Sequence, residues 1–70
     1  MAETYVTIRE YPIKLGQFLK LAEIVQDGLE AKFMILNGEI RVNDLDETRR
    51  GRKLVKSDRV QVGDRVYICS

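Results

Sequence analysis

"GLEAKFMILNGEIRVND", Gly28 to Asp44, changes its hydrophobic period partway along. In its first half Ala31, Met34 and Ile35 share one face of a helix covering "LEAKFMILN". Asn37-Gly38 is a helix stop, with Gly in the left-handed position. Beyond it Ile40 and Val42 alternate with Glu39, Arg41 and Asn43, the two-residue period of a strand. Just upstream, Asp27 reads as the N-cap, and Glu30 three residues later completes a capping-box-like pair. Asn43-Asp44 reads as a turn, less favourable than Asn-Gly because Asp accepts positive φ with some strain.

The flanking segments fall into place around this switch. In "IKLGQFLKLAEIVQ", residues 13–26, Leu15, Phe18, Leu19, Ala22 and Val25 recur at helical spacing, with Gln17, Lys20 and Glu23 opposite. Pro12 suits the entry to that helix. "TYVTIRE", residues 4–10, alternates Val6 and Ile8 against Tyr5, Thr7 and Arg9, as a short edge strand does. Downstream, "LDETRR" runs outward, Gly51 breaks it and "KLV" resumes. A polar turn at Ser57-Asp58, the strand "VQV" and a turn at Gly63-Asp64 lead to a closing strand, "RVYIC", with Val66 and Ile68 inward. The expectation is one α+β domain over residues 1–70, two short helices packed on a small, mostly antiparallel sheet.

Composition excludes several classes. A single cysteine forbids an intramolecular disulfide, and the absence of His removes Cys/His zinc sites and every catalytic triad that needs an imidazole. No apolar run approaches bilayer length, and "MAETYVTIRE" lacks the apolar core of a signal peptide, so a cytoplasmic location is expected. The carboxylates show no matched acid and base, Cys69 has no His to activate it, and the glycines occur singly rather than in a phosphate-cradling loop. Neither an enzyme nor a metal or cofactor is expected.

With 12 Lys and Arg against 11 Asp and Glu, only the placement of charge is informative. "TRRGRKLVK", Thr48 to Lys56, gathers Arg49, Arg50, Arg52, Lys53 and Lys56 around Gly51 with no acid among them. Such a bend projects guanidinium forks suited to phosphate oxygens. Lys14 and Lys32 stand in the early parts of the two helices, where the dipole disfavours a cation. Arg41 points away from the Ile40/Val42 face. Helices lying across the sheet would bring Lys14, Lys32, Arg41 and the 49–53 loop to one rim, a basic patch on a nearly neutral chain.

The order of these segments resembles the alpha-L RNA-binding motif, the domain first known from ribosomal protein S-four. "EAKFMI", "NGEIRVN", "ETRRGRKL" and "VGDRVYI" follow one another as the family's helix step, strand, basic hairpin and Gly-Asp turn do. The likeness covers roughly residues 12 to 68 and is nearest to the small stand-alone YaaA/YbcJ-type members. It implies RNA contacts from Lys14, Lys32, Arg41, Asn43, Arg49, Arg50, Arg52 and Lys53. Two departures stand out: Asp27-Gly28 replaces a Ser-Arg type pair, and Asp44 replaces the turn Gly.

The expected function is therefore non-catalytic binding of structured RNA, ribosomal RNA or a ribosome-assembly intermediate, by a monomer that associates with ribosomal particles. Phosphate and 2′-hydroxyl contacts would dominate, with little base reading, since Phe18 and Phe33 both fit the helical core. The alternative is a protein-interaction module that uses "TYVTIRE" and "RVYIC" as edge strands and docks an acidic partner on the basic loop.

Overall fold

The computed structural model describes residues 2–70. Strand β1 (Ala2–Val6) leads to a short β2 (Ile13–Lys14), then helices α1 (Leu15–Leu21) and α2 (Gly28–Leu36). Five strands follow: β3 (Ile40–Val42), β4 (Leu45–Asp46), β5 (Lys53–Leu54), β6 (Arg59–Val62) and β7 (Arg65–Cys69). The main sheet has the order β1-β7-β6-β3-β4, while β2 and β5 form a separate antiparallel pair. Among the described residues only β1 against β7 is parallel, so the chain is α+β with a mostly antiparallel sheet. No helix among the described residues is long and apolar enough to cross a membrane.

Leu15, Phe18 and Leu19 of α1 and Ala31 and Ile35 of α2 are buried against Ile40, Val42, Val60 and Cys69 of the sheet. Cross-strand partners share a face, so the pairing of Val60 with Tyr67, and of Val6 with Cys69, turns Tyr67 and Cys69 toward this core. The expected inward pair, Val66 and Ile68, lies one residue out of phase, because a one-residue slip exchanges the two faces of a strand. Val66 is nonetheless buried, outside the main cluster. The closing strand is also not an edge: β1 covers β7, leaving β1 and β4 as the edges.

Helix α1 is shorter than the periodicity suggests. Pro12 does not open it; Ile13 and Lys14 pair with Leu54 and Lys53, and the helix begins only at Leu15. It stops at Leu21 because Glu23 takes φ 61°, with Glu23 N–H donating to the Lys20 carbonyl and Ile24 N–H to the Leu19 carbonyl. This is the Schellman closure built without a glycine. Val25, expected on the helix, reaches the core from the loop beyond it.

Helix α2 matches its signals. Asp27 Oδ1 accepts from Glu30 N–H at 2.8 Å, and Glu30 Oε1 accepts from Gln26 N–H at 2.9 Å. At the far end Gly38 adopts φ 76° and Glu39 N–H donates to the Met34 carbonyl. Asn43 and Asp44 both take positive φ, which gives the β3–β4 hairpin the mirror-image turn that suits the strand twist. Phe33 is not in the core: it is 55% exposed on the outer face of α2.

Candidate nucleic-acid interface

The loop after β4 is organised by a residue outside the basic run. Glu47 is only 5% exposed. It accepts from Arg49 Nε and Nη2 at 3.0 and 3.1 Å, from Arg49 N–H at 3.0 Å, and from Arg52 Nη1 at 2.8 Å. Hydrogen bonds from the Arg49 side chain, opposed by burial and reinforced by Arg52, hold its carboxyl down to about 2. Arg49 and Arg52 are thus tied to a carboxylate that stands one residue before the stretch read as free of acids. One negative charge faces two positive ones, so the loop keeps a net positive charge. The Arg49 side chain remains 72% exposed.

The same loop closes the start of α1. Lys14 occupies the N-cap position and supplies no side-chain cap. Instead Leu15 N–H donates to the Arg52 carbonyl at 2.8 Å and Gly16 N–H to the Arg50 carbonyl at 3.0 Å, satisfying donors that a helix start leaves unpaired. This docking sets the Arg50 side chain against Gly16. A Cβ on Gly16 would come within 2.7 Å of Arg50 Cγ.

Between the two helices and this loop lies a recess of about 280 Å³ lined by Lys14, Gly16, Gln17, Lys20, Gly28, Arg50 and Gly51. Three glycines from three segments leave bare backbone between three cations, and no acidic side chain lines it. Lys53 lies directly across the β2–β5 ladder from Lys14, and like charges opposite one another are destabilising. Lys32 is four residues after Gly28 on α2, on the same helix face one turn along. Among the described residues, the ion pairs are Arg41–Asp46, Arg49–Glu47, Arg52–Glu47 and Arg59–Glu3, so Lys14, Lys20, Lys32, Arg50 and Lys53 have no carboxylate partner.

The residues singled out from sequence therefore separate into four groups. Lys14 and Arg50 meet at the recess, with Lys53 and Lys32 beside it. Arg49 and Arg52 hold Glu47. Arg41 lines a different depression, of about 380 Å³, with Gly38, Glu39, Gln61 and Gly63, and pairs with Asp46 at 3.1 Å. Asn43 binds the start of β6: its Nδ2 donates to Asp58 Oδ1 at 3.1 Å and its Oδ1 accepts from Arg59 N–H at 3.0 Å. The single rim expected for Lys14, Lys32, Arg41 and the 49–53 loop is thus divided.

Lys20, Gly16 and Glu47 were not singled out. Lys20 was legible, since it follows Gly16 by one helical turn on the outer face of α1. Glu47 carries no such signal, because its burial depends on the loop path.

The profile of the S4 domain family matches residues 6–69. A Bacillus subtilis (strain 168) protein bearing the name "Probable ribosome maturation protein RlbA" is 46% identical over 57 residues, which cover 81% of this chain and 80% of that protein.

Proposed function

Because this chain belongs to the S4 domain family, we propose that it is a non-catalytic binder of structured RNA, acting as one RNA-binding domain in the cytoplasm. The observation that carries this reading is the recess in which Lys14, Lys20 and Arg50 surround bare glycine backbone with no acid among its lining residues. Phosphate oxygens suit such a place: it offers room, charge and donors, but no acceptor from a carboxylate. Lys32, Lys53 and the exposed part of Arg49 extend the positive surface on either side. The name of the Bacillus subtilis relative, a probable ribosome maturation protein, supports ribosomal RNA or an assembly intermediate as the target, and ribosomal particles as the place of action.

Titrating the protein with ribosomal RNA fragments across a salt series tests this reading. Four to six phosphate contacts give a log–log slope of roughly −4 to −5, and each of Lys14→Ala and Arg50→Ala lowers it by about one. Affinity indifferent to salt would overturn the mechanism. Edge strand β1 leaves a protein partner as the alternative. That reading predicts that association with large complexes survives ribonuclease treatment, whereas the RNA reading predicts its loss.

A further inference from the structure

Helix α2 is apolar on both of its sides. Ala31 and Ile35 face the core, while Leu29, Phe33 and Leu36 face outward at 60%, 55% and 59% exposure. The outer three are spaced i, i+4, i+7 and so form one stripe. An exposed apolar stripe beside a core-facing one ordinarily marks a contact surface, and no described residue covers this side. The stripe also adjoins the basic recess. Gly28 lines that recess, Lys32 follows it by one turn, and Lys32 neighbours both Leu29 and Leu36 at helical spacing. Bare backbone, cation and apolar stripe succeed one another around a single helix.

We propose that this stripe seats an unstacked nucleobase of the bound RNA, with the Phe33 ring stacking on it while neighbouring phosphates occupy the recess. The inference rests on the RNA-binding reading and narrows its target to RNA in which a duplex adjoins an unpaired nucleotide. Charge selects the occupant. Lys32 and the recess cations have no carboxylate partners among the described residues, so an occupant of both surfaces carries negative charge at one end and apolar surface at the other. A nucleotide has that form. Phe33 stands about 7.5 Å along the axis from Gly28 and about 140° around it, with Lys32 and Leu29 between them, so the bound nucleotide would wrap the helix rather than run straight along it. A continuous A-form helix keeps its base faces stacked, so the base must come from a bulge, a loop or an end.

The test compares a blunt RNA duplex with the same duplex carrying a bulge. The wild-type protein should bind the bulged RNA about tenfold more tightly, the scale of one base–aromatic stack. Phe33→Leu, which keeps an apolar side chain at an exposed position, should reduce that preference to within about twofold and leave the salt dependence on plain duplex unchanged. Arg50→Ala should weaken both RNAs alike and preserve the preference, so failure of the recess and failure of the stacking site give different patterns. Because the chain contains no Trp, Phe33→Trp provides a single reporter whose fluorescence the bulged RNA should quench. Equal wild-type affinity for the two RNAs, a preference retained in Phe33→Leu, or an unquenched Trp each overturns the proposal. So does a ribonuclease-resistant complex lost in Phe33→Leu, which would assign the stripe to a protein partner.

Discussion

Arg50 Cγ occupies space that a side chain on Gly16 would need: a Cβ there would come within 2.7 Å of it, while the Gly16 N–H donates to the Arg50 carbonyl at 3.0 Å. One residue thus fixes both the backbone and the side-chain stem of the other. The atom that would be met is near the base of the arginine, so Arg50 cannot move aside by swinging its tip.

Gly16→Ala should therefore lower RNA affinity about as much as Arg50→Ala, and the double variant should bind no worse than either single one, a non-additivity measurable by titration. With Arg50→Ala present the clash is gone, and alanine's helix preference should then raise stability by about 0.5 kcal/mol. Thermal melts of the four proteins check the sign.

Replacing Glu47 by Gln removes the charge that Arg49 and Arg52 share. Charge-assisted hydrogen bonds contribute roughly 1.5–3 kcal/mol each when buried, but both arginines are partly in water. A net loss of about 1–2 kcal/mol is expected, lowering the thermal midpoint by roughly 5–15 °C in a domain of this size. RNA affinity should fall too, because the loop that presents Arg50 loosens.

Acid should act through the same residue. The folded carboxyl titrates near 2 rather than at its ordinary 4.5, a depression, so its contribution is complete above about 4.5 and is lost as pH falls toward 2. The midpoint of the wild-type protein should decline across that window. In Glu47→Gln that part of the decline should be absent. Parallel melting curves from pH 7 down to pH 2 make the comparison.

Cys69 is buried, and burial, with Asp58 nearby, pushes its thiol up to about 11 from an ordinary 9. Two units leave about a hundredfold less thiolate at neutral pH. A thiol reagent should modify the folded protein at least a hundredfold more slowly than the urea-unfolded chain. Rapid labelling without denaturant would contradict the burial.

Sequence signals located the elements with local causes. The cap at Asp27, the stop at Asn37-Gly38 and the alternation from Ile40 to Val42 all involve contacts a few residues apart, and all three stand in the fold. What was illegible depended on partners distant in the chain. Glu23 ends α1 in a left-handed conformation that its residue type does not advertise. The parallel β1–β7 pairing joins residues about sixty positions apart. At the interface the basic character of the 49–53 loop was plain, but its division between Glu47 and the recess was not. Solitary glycines at 16, 28 and 51 acquire a common purpose only when the chain path assembles them. Phe33 misled because core and outer apolar residues alternate along α2, so composition there does not say which side is covered.

The seam between β1 and β7 also governs the timing of folding. The helices and the β3–β4 hairpin can form from neighbouring residues, but Ala2–Val6 has no strand to lie against until Arg65–Cys69 has been made. During synthesis the first strand therefore waits while the rest of the domain emerges. The sheet can therefore be completed only by joining segments about sixty residues apart.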